Sequence, residues 1–280
     1  MINQYSIMEV SNKQTFDEYF KRLKIQRQKP SLKLVTEMQQ KHIAELCFSS
    51  LTVLLKQAIS LDINDIIKKM VFENRGGYCF EHNKLMHDAL NSSGFKVRCL
   101  IAKVINNQDI DSPRTHRITL LEWDGVHYLV DVGFGPNSPR APIQIVEGGK
   151  SKQNGLSYRL VINAQQDYQL ELITEKGFFS LYTFNLNHYT EADCMMGNFY
   201  SSQHPNAVFV NNMVVSLIFP ELTLSLRNNK YHRIGVDQTE IIHIHDHFQL
   251  QTIIKNDFKI QLSEAESELL YQRTCTDETM

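Results

Sequence analysis

Residues 75–83 read RGGYCFEHN, and the texture of the chain changes around them. Upstream, from Thr15 to about Ile66, apolar residues recur at helical steps. FDEYFKRL makes one run; Leu32, Val35, Met38, His42 and Leu46 mark a second that carries on through LCFSSLTVLLKQ, with Pro30 and Ser31 between the two. Asn64 to Phe72 predicts a third helix and Cys79 to Asn91 a fourth, which ends at Ser-Ser-Gly94 with glycine where a helix stop wants a left-handed residue. Downstream, FKVRCLIAKVIN, THRITLLEW, VHYLVDVGF, SYRLVI, YQLELIT and FFSLYTF read as strands separated by turn residues. TEADCMMGNFYSSQH, from Thr190 to His204, reads as a helix or an irregular connector. The tail alternates the strands AVFVNNMVVSLIF and EIIHIHDHFQL with a last helix around Ser263 to Tyr271.

At 280 residues the chain is slightly longer than one hydrophobic core usually serves, so two or three packed subdomains are expected. Its 42% hydrophobic and 10% aromatic content excludes wholesale disorder. The formal charge is −2 with both signs interspersed, which supplies no long-range field for a phosphate backbone or an anionic bilayer. Neither nucleic acid nor membrane is therefore an expected partner. The start, MINQYSIMEV, has no basic segment leading into an apolar one, and no apolar run approaches a membrane span, so a cytoplasmic location is expected. Five scattered cysteines without a C-x-x-C pair suggest neither a disulfide framework nor a zinc knuckle, and no metal is expected. Cys99, within VRCLIA, reads as a small hydrophobe.

Cys79 differs because it opens a helix. Unpaired N–H groups and the macrodipole there favour the thiolate, the nucleophilic form of a cysteine. Gly76 and Gly77 leave room for a substrate to approach the sulfur. A buried structural cysteine at a helix start fits the nonapeptide equally well, so the presence of a base decides. THRITLLEWDGVHYLVDVG supplies one. Asp124-Gly125 is a two-residue hairpin signal that sets Trp123 opposite Val126, Ile118 opposite Asp131 and His116 opposite Gly133. His116 and Asp131 are then diagonal neighbours on one face, roughly 7–8 Å apart, within reach of a carboxylate–imidazole hydrogen bond. Thiol, imidazole and carboxylate make a nucleophile, a base and the group that orients the base.

RGGYCFEHN, PRTHR and LVDVGFG closely resemble the three signature segments of the arylamine N-acetyltransferases, with the family's cysteine, histidine and aspartate falling on Cys79, His116 and Asp131. EYFKRLKIQRQKPSLKLVTEMQQKH, LYTFNLNHYTEAD and NFYSSQHPNAVF extend the likeness over most of the chain. The resemblance implies an α+β fold: an N-terminal helical bundle over 1–93 carrying the nucleophile, a central antiparallel β-barrel over 94–200 carrying the histidine and aspartate, and a C-terminal α/β lid over 201–280. It implies a papain- or transglutaminase-like catalytic core. It also implies acetyl-CoA as co-substrate, with an arylamine or arylhydrazine receiving the acetyl group from Cys79. Thr115, Phe134, Gly135 and Phe209 would line the acceptor and coenzyme A cleft. Arg75 in a buried ion pair and Asn83 one turn beyond Cys79 would support it. Two segments depart from the family: Cys47-Phe48-Ser49-Ser50 stands in place of Pro-Phe-Glu-Asn, and Pro136 in place of a second glycine.

His82 is a rival base without an evident orienting carboxylate, and is expected to be a solvated helix residue. His243, His245 and His247 in HIHDH are expected on one exposed strand face. The same triad would also serve an amide synthase or a thiol hydrolase, and a silent binding relative could retain it. No motif encodes whether water is kept from the acyl-enzyme.

Overall fold

The computed structural model describes residues 15–108, 111–153 and 155–276. The MINQYSIMEV start lies outside the described residues. Helices α1 (Asp17–Leu23), α2 (Leu32–Glu45), α3 (Leu51–Leu54), α4 (Ile63–Ile67) and α5 (Cys79–Ser92) make the N-terminal part, α4 running on into a π-helical turn over Lys68–Phe72. Ser31 caps α2 by accepting from the Leu34 N–H at 3.2 Å. The helices bury Tyr19, Leu23, Val35, Met38, Met70, Leu85 and Leu90 in one core, closed by Leu121 and Val130 from the neighbouring sheet.

The second helical run does not continue through CFSS as its periodicity predicts. The chain leaves α2 at Leu46, and Phe48–Ser49 form a short strand, β1. Backbone pairing explains the break. Ser49 N–H donates to the Gly77 carbonyl at 2.6 Å and Gly77 N–H to the Cys47 carbonyl at 3.2 Å. On its other edge β1 pairs with Ser216 and Val215. Tertiary partners on both sides outweigh local helix propensity. Gly76, at φ +68°, also acquires a different meaning: a Cβ there would lie 2.6 Å from the Cys47 carbonyl oxygen. The space it leaves is filled by β1 and not by a substrate.

Among the described residues the strands form two antiparallel sheets. The larger, barrel-like one holds β2 (Lys96–Val104), β3 (Arg114–Trp123), β4 (Val126–Val130), β5 (Ile143–Gln144), β6 (Lys150–Gln153), β7 (Leu156–Ile162), β8 (Tyr168–Thr174) and β9 (Gly177–Phe184). Their order is β5-β4-β3-β2-β9-β8-β7-β6, around a core that includes Leu100, Ile118, Leu129, Leu170 and Leu181. Helices α6 (Glu191–Gln203) and α7 (Val208–Asn211) follow. The smaller sheet joins β1 to β10 (Val214–Ile218), β11 (Leu222–Arg227), β12 (Lys230–Gly235) and β13 (Thr239–His243), and shares a core with α8 (His247–Asn256) and α9 (Glu264–Thr274). The architecture is the expected α+β one.

Two tail readings change. AVFVNNMVVSLIF divides into α7 and β10. HIHDH does not put three histidines on one strand face: β13 stops at His243, and Asp246 accepts the Gln249 N–H at 2.7 Å to start α8 at His247. A capping aspartate overrides the β alternation. No helix among the described residues is long and apolar enough to cross a membrane.

Candidate active site

The β3–β4 turn has Asp124 at φ 48° and Gly125 at φ 74°, the left-handed pair that a two-residue hairpin turn requires. The ladder runs from Trp123↔Val126 to Thr119↔Val130, in the register read from the sequence, and Asp131 is the next residue after β4. His116 Nε2 donates to Asp131 Oδ2 at 2.8 Å. Three more donors complete the carboxylate: Tyr182 Oη to Oδ2 at 2.9 Å, Asn83 Nδ2 to Oδ1 at 2.9 Å and the Gly133 N–H to Oδ1 at 2.9 Å. Burial by itself would raise the Asp131 carboxyl, but the His116 imidazole together with the Asn83 and Gly133 donors holds it below the ordinary aspartate range. Because Asp131 is a carboxylate and takes Nε2–H, the neutral His116 ring has its free lone pair on Nδ1.

Cys79 is the first residue of α5, and its Sγ lies 3.6 Å from the Thr115 carbonyl, immediately before His116. Gly133, beside Asp131, packs against the same helix turn; a Cβ there would lie 2.9 Å from Cys79 Cα and 2.6 Å from Asn83 Nδ2. Asn83 joins the elements, donating also to the Arg117 carbonyl at 2.6 Å and accepting the Val132 N–H at 3.0 Å. The helix start and the hairpin therefore meet. The thiol is not lowered as its helix position predicts: burial and the Asp131 charge push it far up, against the opposing pull of the Phe80 and Arg117 N–H groups.

Phe134 is half-buried, its ring edge-on to His116 at 5.0 Å and 5.1 Å from Tyr182. Gly135, at φ +64°, opens a short turn that contains Pro136 and has Phe48 and Ser216 as neighbours. Phe209, on α7, lies 5.5 Å from Tyr78 and 5.8 Å from Phe48, against the cluster that includes Cys79. Thr115 is half-buried above the sulfur. Arg75 is paired, to Glu266 at 2.7 Å, but the two side chains keep 22% and 25% of their surface exposed, so the ion pair is a half-buried strap to α9. His82 is not solvated: it is 1% exposed, and its ring nitrogens face His42 and the Cys47 carbonyl.

Two contributors are not among the site residues expected from the sequence. Gln39 bridges the Asp131 and Pro139 carbonyls at 3.4 and 3.2 Å. Tyr182 comes from β9, which reaches the site across β2, where Ala102 is paired with His116 and presents only a methyl group. Its neighbour Phe184, two residues on, shares its face, and that alternation is the one available signal. Tyr182→Phe removes one of two donors at Oδ2 and leaves the fold standing. We expect kcat/KM of the reaction at this site to fall about tenfold, the worth of one charge-assisted hydrogen bond. The acid limb of the pH–rate profile should shift with it, and an unchanged profile would refute the role.

A family model described as N-acetyltransferase matches residues 31–267. The arylamine N-acetyltransferase / N-hydroxyarylamine O-acetyltransferase of Salmonella typhimurium is 31% identical over 248 residues, 85% of this chain and 88% of its own length. The solved arylamine N-acetyltransferase of Salmonella typhimurium superposes with a TM-score of 0.87 at 28% identity, covering 92% of this chain and 98% of that one. The Mycobacterium marinum arylamine N-acetyltransferase in complex with CoA shares the fold, with a TM-score of 0.86 at 24% identity over 92% and 98% of the two chains. With this match across most of its length, the chain belongs to the arylamine N-acetyltransferase family of acyltransferases.

Proposed function

We propose that the chain transfers acetyl from acetyl-CoA to an arylamine or arylhydrazine in two steps, through a thioester on Cys79. The observation that carries this reading is the set of four donors on Asp131, which holds His116 with Nδ1 unprotonated at the junction where Cys79 opens α5. In the first step His116 Nδ1 takes the thiol proton as Sγ attacks the acetyl carbon, the C–S bond to CoA breaks, and the CoA thiolate leaves with that proton. Thioester-for-thioester exchange is nearly balanced in energy, so this step needs no further driving force. In the second, the amine nitrogen attacks the acetyl carbon, His116 takes the proton it loses, and that proton returns to the departing Cys79 sulfur. Burial and the Asp131 charge raise the Cys79 thiol, which fits a base-assisted attack in which His116 takes the proton. The Cys79 N–H would help to hold the oxyanion. Thr115, Phe134, Gly135 and Phe209 would line the cleft for the acceptor ring and CoA. The Mycobacterium marinum relative, solved with CoA, supports CoA as the donor's carrier.

The test is intact-protein mass spectrometry after mixing with acetyl-CoA alone, followed by addition of an arylamine or of buffer. One acetyl group should appear, map to Cys79 and be absent from Cys79→Ser. The arylamine should remove it with formation of the N-acetyl product. Failure to acetylate, or equally fast loss in buffer, would defeat the proposal, the latter in favour of a hydrolase.

A further inference from the structure

Behind the site lies a polar chain that the acetyl-transfer mechanism does not use. Tyr19 on α1, His42 on α2 and His82 on α5 are all buried within the bundle. Tyr19 Oη is 2.8 Å from His42 Nδ1, His42 Nε2 is 2.7 Å from His82 Nδ1, and His82 Nε2 is 3.1 Å from the Cys47 carbonyl oxygen. The final acceptor sets every proton. A carbonyl cannot donate, so His82 Nε2 carries hydrogen; its neutral ring then accepts at Nδ1; His42 therefore donates from Nε2 and accepts at Nδ1 from the Tyr19 hydroxyl. One arrangement satisfies all three side chains, with no net charge. Burying so many polar groups is costly unless each is paired, so the chain enforces a single geometry.

That geometry is delivered to one peptide. The Cys47 carbonyl also accepts the Gly77 N–H, two residues before the nucleophile. The next side chain, Phe48, lies parallel to the His82 imidazole, with centroids 5.9 Å apart and planes 20° apart, and 5.8 Å from Phe209. Phe48 and Cys79 belong to one buried cluster, against which Phe209 packs. His82 thus grips Phe48 twice, through the backbone before it and the ring itself. This is the segment where CFSS stands in place of the family's usual residues.

We propose that His82, locked as its Nε2–H tautomer by His42 and Tyr19, is a positioning residue that sets the Phe48–Phe209 wall beside Cys79 and with it the fit of the aromatic acceptor. The inference rests on the acetyl-transfer reading above. Its hydrogen bonds go to His42 and Cys47 and not to His116 or Asp131, so it acts through the aromatic wall, on the fit of the acceptor ring, and not on the base.

The experiment compares wild type with His82→Leu and His82→Gln in the full chain. Stopped-flow or quench measurement gives the rate of acetyl-Cys79 formation, steady-state assay gives KM for an arylamine, and ¹⁵N-histidine NMR of the wild type gives the tautomers. His82→Leu should raise the arylamine KM about tenfold while changing Cys79 acetylation less than about twofold. His82→Gln, whose amide can donate to Cys47 and accept from His42, should restore KM to within about threefold. The NMR should show His42 and His82 as neutral rings protonated at Nε2, the His82 signals being assigned by their absence from His82→Gln. Equal losses in both half-reactions, an unmoved KM, a glutamine variant as impaired as the leucine one, or His82 protonated at Nδ1 would each overturn the proposal. Should His82→Leu fail to fold, Tyr19→Phe, which removes only the first donor, should raise KM in the same direction, and an unchanged KM counts against it. A wild type that takes up no acetyl would fail the acetyl-transfer reading, and the acceptor role with it, whereas the NMR would still report the proton arrangement by itself.

Discussion

Asp131→Asn lowers kcat/KM for acetyl transfer about 10⁴-fold without unfolding the protein, the size of loss found when an orienting carboxylate is replaced by its amide in a serine protease triad. The donors around Asp131 dictate how. Oδ1 faces the Gly133 N–H, which cannot turn away, and the Asn83 amide, which is held by the Arg117 carbonyl and the Val132 N–H. An asparagine must therefore keep its oxygen there and point its NH₂ at the Oδ2 position, toward His116 and Tyr182. The Tyr182 hydroxyl can rotate to accept. The imidazole can accept only by moving its proton to Nδ1, which removes the lone pair that would take the thiol proton. Geometry is preserved while the base is lost. Steady-state kinetics with a thermal melt check this; a loss below tenfold with an intact melt would show that His116 does not depend on Asp131 for its tautomer.

The parts of this site that were legible in the sequence are those encoded by neighbours along the chain. Asp124-Gly125 set a hairpin register from which the His116–Asp131 meeting follows, and the Cys79–Asn91 helix with its glycine stop put Asn83 one turn beyond the sulfur. What could not be read depends on contacts between distant segments. Tyr182 joins through the order of strands β4-β3-β2-β9, which no local pattern specifies. β1 is two residues long inside a helical period, and only Gly77 on one side and β10 on the other reveal it. His82 looked like a surface residue because its partners His42 and Tyr19 lie on other helices, 40 and 63 residues away. The thiol was misjudged for a similar reason: the helix start lowers it as expected, but burial and the carboxylate brought in by the hairpin raise it more.

Stability should fall as the pH drops from about 6.5 toward 4, above the range in which Asp131 is protonated. The cause is the neutral histidine pair. Burial, the first and largest influence, depresses both rings, carrying His82 down to about 4 and His42 well below its usual value, with His82 adding to the effect on His42. Their unfolded value is about 6.5. Between the two the unfolded chain binds protons that the native state refuses, so unfolding is favoured by acid and native stability rises with pH. Each such proton is worth about 1.4 kcal/mol per pH unit, so His82 alone accounts for about 3 kcal/mol across the window. Asp131 acts in the same direction but lower down: its folded value is also depressed, so its contribution is intact above about 4 and is lost below. Urea unfolding at pH 7, 6, 5 and 4.5 samples the histidine window, above the range in which Asp131 acts. Wild type should lose stability across this series, and His82→Gln, which has no proton to refuse, should show a slope smaller by about one proton, roughly 1.4 kcal/mol per unit. Parallel slopes for the two proteins would mean that His82 is already charged in the native state. The carbonyl of Cys47 would then receive its N–H as before, but the ring would face His42 with a donor where the chain requires an acceptor.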